Sequence, residues 1–171
     1  MPRVFIAVGS NIEPESSIPK ALSMLAARIP LIAVSLFYQS EPMGTDGAPF
    51  YNGMVEVDTS LTARELKFGV LRNIESALGR IRGADKYAPR TIDLDICVYN
   101  DLVIDEPDLT VPDPDIARRP FVAMPLYELV PEFVLPMTNI KLSDIVSSMN
   151  SDTMIELVDF TEQLKREYFY E

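Results

Sequence analysis

The segment Thr91–Tyr99 constrains this chain more than any other. Ile92, Leu94, Ile96 and Val98 alternate with Asp93, Asp95 and Cys97, and a period of two marks a strand with one apolar and one polar face. Asp93 and Asp95 therefore project from the same face, about 7 Å apart along the backbone. Two carboxylates held that close repel unless a cation intervenes. An isolated Asp-x-Asp pair also serves as plain solvated surface, so the surrounding residues carry the distinction.

Those surroundings are polarised. Arg80, Arg82, Lys86 and Arg90 lie between Gly79 and Arg90 against a single Asp85, whereas Asp101 to Asp115 carries six acids and no base. A basic island in a chain with 15 Lys and Arg against 26 Asp and Glu, net charge -11, points to local anion binding. The same net charge disfavours nucleic acid and anionic lipid as partners. With no His, imidazole bases, Ser-His-Asp relays and His-ligated zinc are excluded by inventory. The single Cys97 forms no internal disulfide, which suits a reducing compartment. No apolar run reaches the ~18 residues that span a bilayer, and no signal-peptide pattern opens the chain, so a cytoplasmic protein without a membrane partner is expected.

Length and patterning fit one domain over 1–171. Val4–Val8 reads as a buried strand, followed by a helix from Ser17 to Ile29 that Pro30 stops. Ile32–Tyr38 and Tyr51–Thr59 read as strands around a Gly- and Pro-bearing loop from Glu41 to Pro49. Thr62 and Glu65 form a capping box for a helix with Leu66, Val70, Leu71, Ile74 and Leu78 on its apolar face, ending at Gly79. With Thr91–Tyr99 the order is βαββαβ, an α+β ferredoxin-like arrangement in which helices cover one face of an antiparallel sheet. Arg118–Leu129 and Leu142–Met149 read as further helices and Met154–Phe160 as a short extra strand; the last twenty or so residues are open between tail, packed helix and contact surface.

Carboxylates placed for a hard cation, with guanidiniums beside them for phosphate oxygens, are the equipment of phosphoryl transfer. No Gly-x-x-x-x-Gly-Lys loop is present, which excludes a P-loop site.

Gly79-Arg80 followed by Tyr87-Ala88-Pro89-Arg90-Thr91-Ile92-Asp93-Leu94-Asp95 resembles the signature of the hydroxymethyldihydropterin pyrophosphokinases of folate synthesis. Ala7-Val8-Gly9-Ser10-Asn11, Phe37 to Gly44, Phe50-Tyr51-Asn52, Ile74-Glu75 and Arg119-Pro120-Phe121 follow the family's order, from about Val4 to Pro136. The resemblance implies transfer of pyrophosphate from ATP to the hydroxymethyl group of 6-hydroxymethyl-7,8-dihydropterin, with AMP released. It implies two Mg2+ ions on Asp93 and Asp95, and Arg80 and Arg90 acting on the transferring phosphates. Phe50 and Phe121 match the aromatic pair that sandwiches the pterin, and Asn52 the amide that reads its edge, with Ser40 and Met43 assisting. Glu75, Arg82, Tyr87, Ile96, Thr110 and Arg119 match nucleotide-binding positions. The implied partners are thus ATP and a small pterin; a protein partner is not legible. By residue type alone, Phe50 and Phe121 also suit a core, and Ser10, Asn11 and Asn52 suit turns.

Three departures stand out. Asp113 replaces the His that the family carries after Pro112, Tyr87 and Ala88 replace a Trp-Gly pair, and Asp108 stands where the family can carry a base. An anion near a triphosphate opposes binding, which leaves open a second reading: an altered or inactive relative that binds a pterin or nucleotide. A ferredoxin-like RNA-binding module is a third reading, opposed by the charge.

Overall fold

The computed structural model describes residues 3–41, 47–80 and 90–169. A central antiparallel sheet has the order β5-β1-β4-β3-β8, with β2 also pairing β4. Its strands are β1 (Val4–Ser10), β2 (Leu31–Val34), β3 (Tyr38–Ser40), β4 (Phe50–Val57), β5 (Asp93–Tyr99) and β8 (Ile155–Glu156). With α1 (Pro14–Ala26) after β1 and a helical segment from Ala63 to Ala77 between β4 and β5, this is the expected βαββαβ core.

Local chemistry accounts for the elements. α1 begins at Pro14, earlier than apolar spacing suggests, because the fixed φ of proline suits the first helical turn. The strand expected over Ile32–Tyr38 is split: the Ser35 hydroxyl accepts from the Met54 amide at 2.8 Å, and Phe37 turns fully inward against Gly53. The capping box forms as read, with Glu65 N–H donating to Thr62 Oγ1 at 3.1 Å and Thr62 N–H to Glu65 Oε1 at 3.0 Å. The helix then departs from expectation. It runs as α2 (Ala63–Glu65), a π-helical turn (Leu66–Leu71) and α3 (Arg72–Ala77). Gly79 ends the segment at φ 84, a conformation suited to glycine.

Helices cover both faces of the sheet, not one. Ile18, Leu22, Leu25, Leu66, Leu71, Ile74 and Leu164 pack on one face against Val4, Ile6, Val55, Leu94 and Ile96. On the other face, α4 (Pro120–Leu129) and α5 (Leu142–Ser147) pack Val122, Leu126, Leu142 and Ile145 onto Phe5, Met54, Cys97 and Val98. Alternation along β5 breaks at Cys97, because Ile6 pairs with Ile96 while Phe5 pairs with Val98. That bulge sends both Cys97 and Val98 to the second face.

Two further corrections concern the C-terminal half. The acidic stretch after β5 contains a hairpin, β6 (Ile104–Glu106) and β7 (Leu109–Val111), which the sequence reading missed. Only Ile155–Glu156 of the expected Met154–Phe160 strand is extended, because Val158–Tyr168 forms α6. α6 packs on the core: Thr161 Oγ1 accepts from Phe37 N–H at 2.8 Å, and Tyr168 Oη donates to the Pro19 carbonyl at 2.9 Å. No helix among the described residues is long and apolar enough to cross a membrane.

Candidate active site

The polar ends of β1, β4 and β5 open into a cleft of about 370 Å³. Eight of the expected catalytic and binding positions line it, Ser40, Phe50, Asn52, Arg90, Asp93, Asp95, Arg119 and Phe121, and so does the departure Asp113. The eight come from four separate parts of the chain and converge because antiparallel pairing sets Gly9 opposite both Asn52 and Asp93. Gly9 is needed there, since a Cβ would stand 2.8 Å from Asn52 Oδ1. Asn52 Nδ2 donates to Ser40 Oγ at 2.9 Å, which fixes the orientation of the amide, and its Oδ1 lies against Gly9. Phe50 and Phe121 are half-buried and front the cleft, which sets aside a purely core role.

At the charged end, Asp93 is the hub. Its Oδ1 accepts from Arg80 Nη1 at 2.9 Å and its Oδ2 from Arg90 Nη1 at 2.6 Å. Burial alone would raise its pKa, but Arg80 and Arg90 outweigh burial and hold it below the usual carboxylate range. Asp95 has the opposite fate: although its side chain stays open to the cleft solvent, reduced hydration first, then the charge of Asp93 and a hydrogen bond to it, push it above that range. With both guanidiniums committed to Asp93, the negative charge around Asp95 is under-compensated. That imbalance is what a divalent cation relieves, and an all-oxygen donor set suits magnesium. Among the described residues no three acids converge to cage an ion, so a metal here would need oxygens from a ligand. The residues fit magnesium on those terms.

Arg80 and Glu75 line neither this cleft nor the cavity beside it. Glu75 is only 2% exposed; it accepts from Arg80 Nη1 at 2.6 Å and from the Leu94 amide at 2.9 Å. Burial raises its pKa, opposed by the Leu94 amide and Arg80. Glu75 thus supports Arg80 from behind, and Arg80 supports Asp93. Asn11, read from sequence as a turn former, performs a similar task for Arg90. Its Oδ1 accepts from Arg90 N–H at 2.7 Å, its amide donates to the Arg90 carbonyl at 3.1 Å, and its Nδ2 donates to the Ala48 carbonyl at 3.2 Å. Arg118 also lines the cleft and was missed, although it neighbours Arg119.

A second cavity, about 420 Å³, adjoins the first and shares Asp95, Asp113 and Asp115 with it. Ile96 and Thr110 line it, together with Lys67 and Arg72, which the sequence pattern does not single out. The two acidic departures are partly absorbed. Arg64 grips both Asp108 oxygens, at 3.0 and 2.9 Å, and Asp113 Oδ1 accepts from the Asp115 amide at 2.9 Å. Asp113 is raised by burial and by the neighbouring charges of Asp115 and Asp93. Met43, Arg82 and Tyr87 lie outside the described residues.

A split βαβ sheet thus carries a cleft with an acid pair and arginines at one end and Phe50 and Phe121 along its wall. The family model described as 7,8-dihydro-6-hydroxymethylpterin-pyrophosphokinase (HPPK) matches residues 5–131, and the chain belongs to that family. A 2-amino-4-hydroxy-6-hydroxymethyldihydropteridine pyrophosphokinase of Pseudomonas aeruginosa is 40% identical over 139 residues, covering 78% of this chain and 84% of the relative. The protein of the same name from Haemophilus influenzae is 35% identical over 158 residues, covering 90% and 96%. Among solved structures, wild-type Plasmodium falciparum HPPK-DHPS superposes with a TM-score of 0.69 at 14% identity, over 99% of this chain and 46% of that one. That likeness supports the fold alone.

Proposed function

We infer that this chain transfers the pyrophosphoryl group of ATP to the hydroxymethyl group of 6-hydroxymethyl-7,8-dihydropterin and releases AMP. Family membership supports the reaction class. The observation that carries the assignment to this cleft is the convergence of Phe50, Asn52 and Phe121 beside Arg90, Asp93 and Asp95.

In this reading Phe50 and Phe121 hold the pterin ring and Asn52, steadied by Ser40, reads its edge. The hydroxymethyl oxygen then lies toward Asp93 and Asp95. ATP occupies the second cavity, with its phosphates at the junction by Asp95. The hydroxyl oxygen forms a bond to the β-phosphorus, the bond from that phosphorus to the α,β-bridging oxygen breaks, AMP leaves with that oxygen, and the hydroxyl proton passes to solvent. Asp93 and Asp95 would hold magnesium, which when bound neutralises phosphate charge and acidifies the hydroxyl. No protein nucleophile is needed. Arg90, and Arg80 on leaving Asp93, offer charge to the transferring group, and Arg119 adds charge at the cleft wall. The chain works as a single domain.

Incubation with ATP, magnesium and the reduced pterin alcohol should yield AMP and pterin diphosphate in equal amounts. ADP with a monophosphorylated pterin would overturn the assignment. The inactive-relative reading rests chiefly on Asp113 in place of His; Asp113 lines the cleft with Oδ1 accepting from the Asp115 amide at 2.9 Å, and no observation favours that reading.

A further inference from the structure

The helical wall of the second cavity is distorted where the sequence pattern reads as an ordinary helix. Across Leu66–Leu71 the backbone is π-helical, and the Arg72 N–H donates to the Lys67 carbonyl five residues back. Such turns are rare and concentrate at functional sites. Their geometric effect is specific. An α-helix advances about 100° per residue, so positions five apart diverge by about 140° around the axis. Hydrogen bonding from i to i+5 stacks them on one face instead. Lys67 and Arg72 are five apart, and both line the cavity.

The surroundings sustain the distortion. Gly69 lies mid-turn with nothing within 4 Å of where a Cβ would stand, and its carbonyl accepts from Asn73 Nδ2 at 2.8 Å and Arg28 Nη1 at 3.2 Å. Two side-chain donors thus anchor the turn at this carbonyl. The two cations are not used up in holding the turn. Arg72 stands 5.9 Å from the Phe68 ring centroid and makes no ion pair among the described residues. The Lys67 ammonium donates to the main-chain carbonyl of Asp108. Burial and the charge of Arg72 lower the Lys67 pKa, a cost that a bound anion removes.

Across the cavity stand Asp95, Asp108, Asp113 and Asp115. A polyanion entering such a space needs opposing charge, and among the described residues lining it Lys67 and Arg72 alone supply it. We propose that the π-helical turn brings Lys67 and Arg72 together as the cationic pair that recognises the phosphate chain of ATP in the second cavity. This rests on the reading of that cavity as the nucleotide site.

The test compares wild type with Lys67→Ala, Arg72→Ala, the double variant and Arg72→Lys. Both side chains are half-exposed, so the fold tolerates their loss. Each alanine should raise KM for ATP about tenfold, while kcat and KM for the pterin stay within about twofold. Arg72→Lys should recover part of the loss. Inhibition by inorganic tripolyphosphate should weaken in parallel, and inhibition by adenosine should not. An unchanged KM for ATP overturns the proposal, as does an equal loss for adenosine, which would make the pair a reader of the nucleoside. Failure of the function reading is separable: wild type would then form no AMP from ATP and pterin, whereas tripolyphosphate binding would still depend on the pair.

Discussion

Replacing Gly53 by Ala tests how the core holds the cleft. Gly53 has an ordinary strand backbone, so on local grounds alanine should stabilise it by roughly 0.5 kcal/mol through a less flexible unfolded chain. The packing opposes this. A Cβ would stand 2.5, 2.6 and 2.7 Å from three ring carbons of Phe37, closer than any real methyl approaches. Phe37 is fully buried, packs edge-on against Phe160 at 5.6 Å, and is tied through its own amide to Thr161. The ring cannot swing into solvent, so either β4 shifts or α6 is pushed away. Overpacking of this kind costs about 2 to 3 kcal/mol, which exceeds the backbone gain several-fold. The net fall in Tm should be roughly 5 °C. KM for the pterin should also rise, because Asn52 precedes the displaced residue. Urea unfolding and thermal melts measure the first effect and steady-state kinetics the second. A Gly53→Ala protein as stable as wild type would refute the claim that Phe37 wedges β4 in place.

Other expectations follow from the charged end. Asp95 has a raised pKa in the fold, so its contribution to stability is present at low pH and is lost as pH rises through the raised value. Asp95→Asn removes that loss: without divalent ions the variant should gain stability over wild type at pH 8 but not at pH 4, by urea unfolding, while losing transfer activity. Equal pH profiles would contradict the crowding of carboxylates described here. Asn11→Ala removes the clamp on Arg90 and should lower kcat about tenfold with a stability cost of roughly 1 to 2 kcal/mol; an unchanged kcat would show that Arg90 needs no such support. Arg64→Ala frees Asp108 at the cavity rim and should raise KM for ATP about threefold, less at high salt. No salt dependence would count against an electrostatic cause.

How legible each feature was depended on whether its cause is local in sequence. The acid-bearing strand was readable because β5 alternates up to Ile96, and the capping box because Thr62 and Glu65 sit three apart. The bulge at Cys97 was not, since it arises from pairing with Phe5 and Ile6 across the sheet. The β6–β7 hairpin was hidden because its strands are three residues long and sit in an acidic run that reads as solvated loop. The π-helical turn escaped because Leu66, Val70 and Ile74 satisfy α spacing, so the pattern gives no sign of the extra residue per turn. Within the site, strand alternation indicated Asp93 and Asp95, whereas Phe50, Asn52 and Phe121 were indicated only by the family resemblance, since by residue type they suit a core or a turn equally well. The supports Asn11 and Glu75 act on Arg90 and Arg80 across turns and strands, and only coordinates reveal them. Equally, no pattern announced that Arg80 is turned inward onto Asp93 and Glu75 instead of facing the cleft.

The most direct measurement is chromatographic separation of adenine nucleotides after incubation of the protein with ATP, magnesium and 6-hydroxymethyl-7,8-dihydropterin, beside an Asp93→Ala control. Pterin-dependent AMP in wild type and none in the control is the outcome required by a pyrophosphoryl-transfer site on Asp93 and Asp95. Pterin bound without AMP, or AMP formed equally by Asp93→Ala, would contradict it.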